Sequence, residues 1–208
     1  MNYDGHNKMP VSSLYKSESL APETPLADAP AIFTKTDSAL LKDHKPFFVP
    51  DDMGRIDCEA SLVVHICRLG KAIPRRFAHR YYDAVTVGVD FTAGEMLQEA
   101  MRRGLPWTLC KGFDGSAVIG EMQPLDALPD IQDLHFWLDK NGQTVQQGHT
   151  ADMLHRVDEI VSYVSRFFTL KMGDLIYTGT PAGVGPVQEG DHLEGYLEGR
   201  KVLDCNVR

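Results

Sequence analysis

Three side chains able to do polar chemistry fall in apolar surroundings between Asp57 and Asp114. Glu59 lies near the start of the run DCEASLVVHICRLGK, Asp90 lies inside DAVTVGVDFTAGE, and Lys111 lies inside LPWTLCKGFDG. An unpaired charge is expensive to bury, so each of these groups calls for a partner, a metal or a substrate. Two carboxylates and an ammonium brought together can hold a hard cation or support negative charge that develops on a substrate.

The elements that carry them follow from pattern. In CEASLVV, strand alternation puts Glu59, Ser61 and Val63 on one face and Ala60, Leu62 and Val64 on the other. Glu59 and Ser61 therefore point into one space, either the solvent at a sheet edge or a site. VTVGVDF is a β-branched run in which Asp90 is out of character for a strand. TAGEMLQEAMRRG is expected to be a helix, capped by Thr92 with Glu95 three residues on and ended by Gly104. WTLCKGFDG is expected as a short strand running into an Asp114-Gly115 turn. Before these, Phe77, Tyr81 and Val85 in IPRRFAHRYYDAV have the spacing of an amphipathic helix. After them, Asn141-Gly142 joins LHFWLDK to TVQQGHT as a hairpin. The run from His155 to Leu170 places Val157, Ile160, Val161 and Val164 on one helical face. TGTPAGVG is a glycine-rich loop of the kind that lets backbone approach a ligand, and it fits neither a Walker A nor a GxGxxG pattern.

Upstream, residues 1–30 are polar and interrupted by Pro10, Pro22, Pro25 and Pro30, which reads as loop. His6 within it is either a solvated histidine or a general base on a lid. Lys35, between Thr34 and Thr36 in AIFTKTDSALL, reads alone as a solvated strand lysine. KPFFVP is expected as a short aromatic strand.

Whole-chain properties bound the function. The chain has 208 residues, 43% of them hydrophobic and 24% charged, with a formal charge of −8. That balance disfavours nucleic acid as the main partner, yet allows a small anionic substrate in a local positive pocket. The four cysteines form no CxxC or zinc spacing, so reduced thiols in a cytoplasmic protein are expected. There is neither a signal-peptide pattern nor an apolar run long enough to span a membrane.

Taken together, NYDGH, FTKTDSALL, CEASLVV, VGVDFTAGE, GLPWTLCKGFDGSA and GDLIYTGTPAGVGPV resemble the fumarylacetoacetate hydrolase family over nearly the whole chain. The likeness is to the small single-domain branch with acylpyruvate hydrolases and oxaloacetate decarboxylases. It implies an α+β, β-rich fold, a mixed β-sandwich roll of the family's C-terminal-domain type, usually as a homodimer. Residues 1–30 would form a lid segment lacking the family's first strand, and 31–208 the catalytic domain. The implied cofactor is Mg2+ or Mn2+, with Glu59 and Asp90 as ligands. Ser61 stands where the family has a second ligand glutamate. The resemblance also implies catalytic roles for His6 and Lys111 and substrate contacts from Lys35, Gln146 and Thr180. Met9 replaces the acid partner of the lid histidine, and Gly94 replaces an arginine. The implied reaction is C–C bond cleavage of a small 2-oxo acid through an enolate, by acylpyruvate hydrolysis or oxaloacetate-type decarboxylation. The alternatives are a weakly active family member that binds an acid metabolite and an isomerase of unsaturated hydroxy-dioic acids.

Overall fold

The computed structural model describes residues 30–208 and the backbone of residues 11–12. In chain order, the short strands are β1 (Val11–Ser12), β2 (Ala31–Ile32) and β3 (Leu40–Leu41). Two long strands follow, β4 (Ile56–Ile66) and β5 (Tyr82–Ala93). Next come helices α1 (Gly94–Arg103) and α2 (Thr108–Lys111), and strands β6 (Ala117–Ile119), β7 (Gln123–Pro124), β8 (His135–Lys140) and β9 (Gln143–His149). Helix α3 (Val157–Phe167) precedes β10 (Leu175–Tyr177), β11 (Gly185–Val187), β12 (His192–Leu197) and β13 (Arg200–Asn206).

The strands form a seven-stranded mixed sheet running β10-β4-β5-β6-β3, with β11 also on β4 and β7 on β5, a four-stranded sheet running β13-β12-β8-β9, and an antiparallel β1-β2 pair. The β-branched runs explain why β4 and β5 dominate. They pair antiparallel along their whole length, from Ile56 opposite Ala93 to Ile66 opposite Tyr82. Their two-residue period separates two environments. Leu62, Val64, Val85, Val87, Val89 and Phe91 face the core, all fully buried against Phe136, Leu138, Leu193 and the Ile160–Val161–Val164 face of α3. Each such side chain contributes roughly 1.5–3 kcal/mol when withdrawn from water. The opposite face of the pair carries Asp57, Glu59, Ser61, Thr86, Asp90 and Thr92.

The hairpin turns at Asn141 (φ 55°) and Gly142 (φ 75°), as the sequence implies. Three expectations give way. Residues 75–80 form a 3-10 segment that ends where β5 begins at Tyr82, because pairing with β4 captures residues 82–85 from the expected helix. The WTLCK segment is a helical turn, Thr108–Lys111, rather than a strand. KPFFVP contributes only a single bridge, Phe47 to Val207. The four cysteines are free thiols, and among the described residues no helix is long and apolar enough to cross a membrane.

Candidate active site

The site forms where the edge of β4 is interrupted. β10 pairs with residues 63–65 of β4 and β11 with residues 56–58, so residues 59–62 are left between them. The glycine-rich loop departs from the sheet here. Thr178 still donates its N–H to Leu62 O, whereas the Ala60 N–H is satisfied by Gln146 Oε1 at 2.7 Å. The amide nitrogen of Gln146 donates to Thr180 Oγ1 (2.9 Å) and Pro181 O (3.0 Å). Gln146, reaching in from the other sheet, therefore holds the loop in place. Gly183 (φ 102°) allows that approach, since a Cβ there would lie 2.3 Å from Val145 O.

Glu59 and Asp90 are cross-strand partners, and the Lys111 ammonium lies between them. Its Nζ donates to Glu59 Oε1 (2.7 Å), Asp90 Oδ2 (3.1 Å) and Thr92 Oγ1 (2.5 Å), and Thr92 in turn donates to Glu59 Oε1 (2.6 Å). Phe33 covers this group, with its ring centroid 5.1 Å from Nζ. Burial pushes Glu59 above the ordinary carboxylate range, although Lys111 pulls the other way. Burial also works against the charge on Lys111, but Asp90 and Glu59 outweigh it and raise its pKa.

Lys35 lies behind Asp90. Its Nζ pairs with Asp90 Oδ1 at 2.6 Å and donates to the carbonyls of Lys111, Ser116 (3.0 Å) and Phe91 (3.4 Å), and to Ser116 Oγ (3.0 Å). The contact with Asp90 Oδ1 is close but lacks hydrogen-bond alignment. Burial lowers the Lys35 pKa more than Asp90 raises it. Because its donors are taken up by the protein, Lys35 joins the loop after β2 to the end of α2.

Ser61 Oγ accepts from the Gly179 N–H (3.2 Å) and donates to Leu62 O (3.3 Å). Ser61, Glu59, Asp90, Thr180, Gly179, Tyr177 and Phe33 line one small cavity of about 10 Å³. The structure thus brings together Glu59, Ser61, Asp90, Lys111, Gln146, Thr180 and Lys35. His6 and Met9 lie outside the described residues.

Two participants escape sequence reading. Thr92 looks like a helix cap, yet Ala93 precedes the first turn of α1 and the Thr92 hydroxyl belongs to the site. Asp57 shares the parity of Glu59 and Ser61, a signal present in DCEAS. It is buried, with Oδ2 paired to Arg55 (3.0 Å) and Oδ1 without a hydrogen-bond partner. Asp57 also accounts for Gly94, where a Cβ would stand 2.1 Å from Asp57 Oδ2. Gly94→Arg alone is therefore expected to lose about 1–3 kcal/mol by overpacking. Adding Asp57→Gly should recover most of that loss. Chemical denaturation of the two single variants and the double variant reads the coupling, and additive losses would refute it.

The donor set suits a hard divalent cation. Two carboxylates and a hydroxyl face one space, and such ions bind through one or two carboxylates completed by water and substrate. Affinity should be low, because two ammonium groups already balance the two carboxylates. A different trio, His192, Glu194 and Asp204, also has closely grouped ligand atoms. There Lys201 already supplies the cation, 2.9 Å from both carboxylates.

Residues 2–208 match the family model described as fumarylacetoacetate (FAA) hydrolase, C-terminal. Mouse oxaloacetate tautomerase FAHD1, mitochondrial, is 34% identical over 195 residues, spanning 94% of this chain and 88% of that protein. A crystal structure of fumarylpyruvate hydrolase from Pseudomonas aeruginosa in complex with Mn2+ and pyruvate superposes with a TM-score of 0.88 at 29% identity, covering 97% of this chain and 89% of that one. The 5-carboxymethyl-2-hydroxymuconate delta-isomerase of Mycobacterium smegmatis gives a TM-score of 0.82 at 30% identity, covering 97% and 78%.

Proposed function

The chain belongs to the fumarylacetoacetate hydrolase family, and from that premise we propose that it interconverts the keto and enol forms of a small 2-oxo acid through an enolate. The observation that carries this reading is the buried Lys111 ammonium, held by Glu59 and Asp90, which line the cavity, and by Thr92, which adjoins it through Glu59. A preorganised cation in a dry site stabilises an oxyanion far better than water does. The tautomerase and isomerase relatives, and the pyruvate held by the Pseudomonas hydrolase, support the same substrate class.

Each residue then has a role. Thr180, positioned by Gln146, donates to the substrate carboxylate. Lys111 releases its bond to Thr92 Oγ1 and turns that N–H to the 2-oxo oxygen. Lys35 holds Asp90 and the Lys111 backbone so that the ammonium keeps its place. His6 takes the proton from C3. The electron pair left behind forms the C2–C3 double bond, negative charge moves to the 2-oxo oxygen beside Lys111, and reprotonation there gives the enol. Glu59 and Asp90, with Ser61 at their side, would hold Mg2+ or Mn2+, which supplies Lewis-acid polarisation of the same oxygen.

C–C cleavage is the second reading, since an acylpyruvate can expel the same enolate. Hydrolysis also needs an activated water, and by the family resemblance Met9 replaces the acid that would partner His6. Proton transfer at C3 has no such need. A homodimer belongs to the proposal and is measurable by sedimentation.

The test follows C3 of 2-oxobutanoate in deuterated water by proton NMR, with Mg2+ or Mn2+ present and with acetylpyruvate in parallel. Deuterium uptake at C3 that depends on the protein, without pyruvate release from acetylpyruvate, is expected. Pyruvate release would favour the second reading. Neither change, at protein concentrations near those of substrate, would end both.

A further inference from the structure

The catalytic cavity, at about 10 Å³, has no room for a substrate's distal part. A larger space adjoins it. A groove of about 410 Å³ lies between the β2 end, the turn before α2 and the end of α3, lined by Ile32, Phe33, Leu105, Pro106, Trp107 and Phe168. That volume falls within the ~300–1,000 Å³ typical of small-molecule pockets. Two observations tie it to the site. Phe33 walls both spaces, and its ring covers the Lys111 ammonium. Trp107 and Thr108 stand four and three residues before Lys111 around the turn of α2, so the groove floor and the ammonium share one helix face about 5 Å apart along the axis.

The lining chemistry is equally specific. Among the described residues no charged side chain lines the groove, and their side-chain polar groups there, besides the Trp107 N–H, are the hydroxyls of Thr34 and Thr108. A carboxylate placed there would lose hydration without gaining a cation. An aromatic or alkyl group would instead lie among three aromatic rings.

We propose that this groove receives an uncharged, apolar substituent on the distal carbon of the 2-oxo acid, so that the preferred substrate is an aryl or alkyl 2-oxo acid rather than a dioic acid. The inference rests on the 2-oxo acid reading above, and the experiment separates the two.

Binding is measured by calorimetry with Mg2+ present, using pyruvate, 2-oxo-4-phenylbutanoate, 2-oxoglutarate and 4-phenylbutan-2-one, the last having the tail and ketone but no carboxylate. The phenyl acid is expected to bind at least about tenfold more tightly than pyruvate, an advantage that follows from burying one ring. Trp107→Ala should remove most of that advantage and leave pyruvate unchanged. Leu105→Arg, at a position 45% exposed and so tolerant of charge, should shift preference toward 2-oxoglutarate without a loss of fold.

If pyruvate and the phenyl acid bind equally, or if the advantage survives both variants, the groove proposal is overturned while the head-group reading stands. If the neutral ketone binds in a Trp107-dependent way and no acid binds, the groove stands and the 2-oxo acid reading falls. Absence of all binding would remove both. Equal binding, combined with dissociation of an oligomer on Leu105→Arg, would assign the groove to a second copy of the chain instead.

Discussion

Ser61→Glu is expected to unfold on the order of 10 °C below the parent protein in the absence of divalent cations and to recover when Mg2+ or Mn2+ is added. The reason is charge balance. Glu59 and Asp90 face Lys111 and Lys35, two negative charges against two positive. Asp57 on the same face is paired with Arg55, whereas a carboxylate added at 61 has no partner, and an uncompensated buried charge costs about 3–5 kcal/mol. For a domain of this size that is a shift of roughly 6–20 °C. A divalent ion restores neutrality, so the variant should bind it at least about tenfold more tightly than the parent and gain stability by mass action. Ser61→Gln separates charge from size. It also crowds the cavity and gives up the Oγ that accepts from Gly179, but the ion should not rescue it. Thermal melts with and without metal decide the matter. A Glu variant as stable as the parent, with unchanged metal response, would show that charge does not govern the site.

Lys111→Met is expected to destabilise the protein by about 3–5 kcal/mol near neutral pH, because it leaves two carboxylates facing each other without the bridging cation. The pH dependence follows from the shifts. Glu59 has a raised folded pKa, so its favourable contribution is complete below about 4.5 and is lost as pH rises through the folded value. Lys111 opposes that rise, and removing it lifts Glu59 further. Lys111 itself is raised above 10.5, so its contribution is present below that pH and fades through its folded pKa. The gap between parent and variant should therefore be widest between the Glu59 folded pKa and about pH 10.5, and should close toward pH 4. Urea denaturation at stepped pH values measures it. A gap independent of pH would mean that Lys111 acts through packing alone. Keto–enol exchange should fall at least a hundredfold in the same variant, the scale of removing one oxyanion donor.

Much of this site was legible in the chain. Glu59 and Asp90 stand out because strands rarely bury acids, and Lys111 because it follows them into a similar setting. The hairpin at Asn141-Gly142 and the α3 face from Val157 to Val164 were equally plain, since turn chemistry and helical period act locally. What escaped depends on partners distant in sequence. Phe77, Tyr81 and Val85 have helical spacing, but Val64, His65 and Ile66 of β4 pair with residues 82–85 and prevail. Thr92 has the side chain of a cap, yet a carboxylate and an ammonium take its hydroxyl first. Lys35 looks solvated until the carbonyls of Phe91, Lys111 and Ser116 converge on it. Asp57 had the right parity, but its link to Gly94 crosses from β4 to the start of α1 and leaves no mark on spacing.

The alternation of β4 carries a consequence for how such a protein can diversify. Even-numbered positions from Ile56 to Ile66 maintain the interior, while odd-numbered Glu59 and Ser61 face the candidate site. Chemistry and architecture are thus written on interleaved tracks of one ribbon. A substitution such as the serine at 61 can retune the charge of the candidate site while every hydrophobic tooth on the reverse side stays engaged.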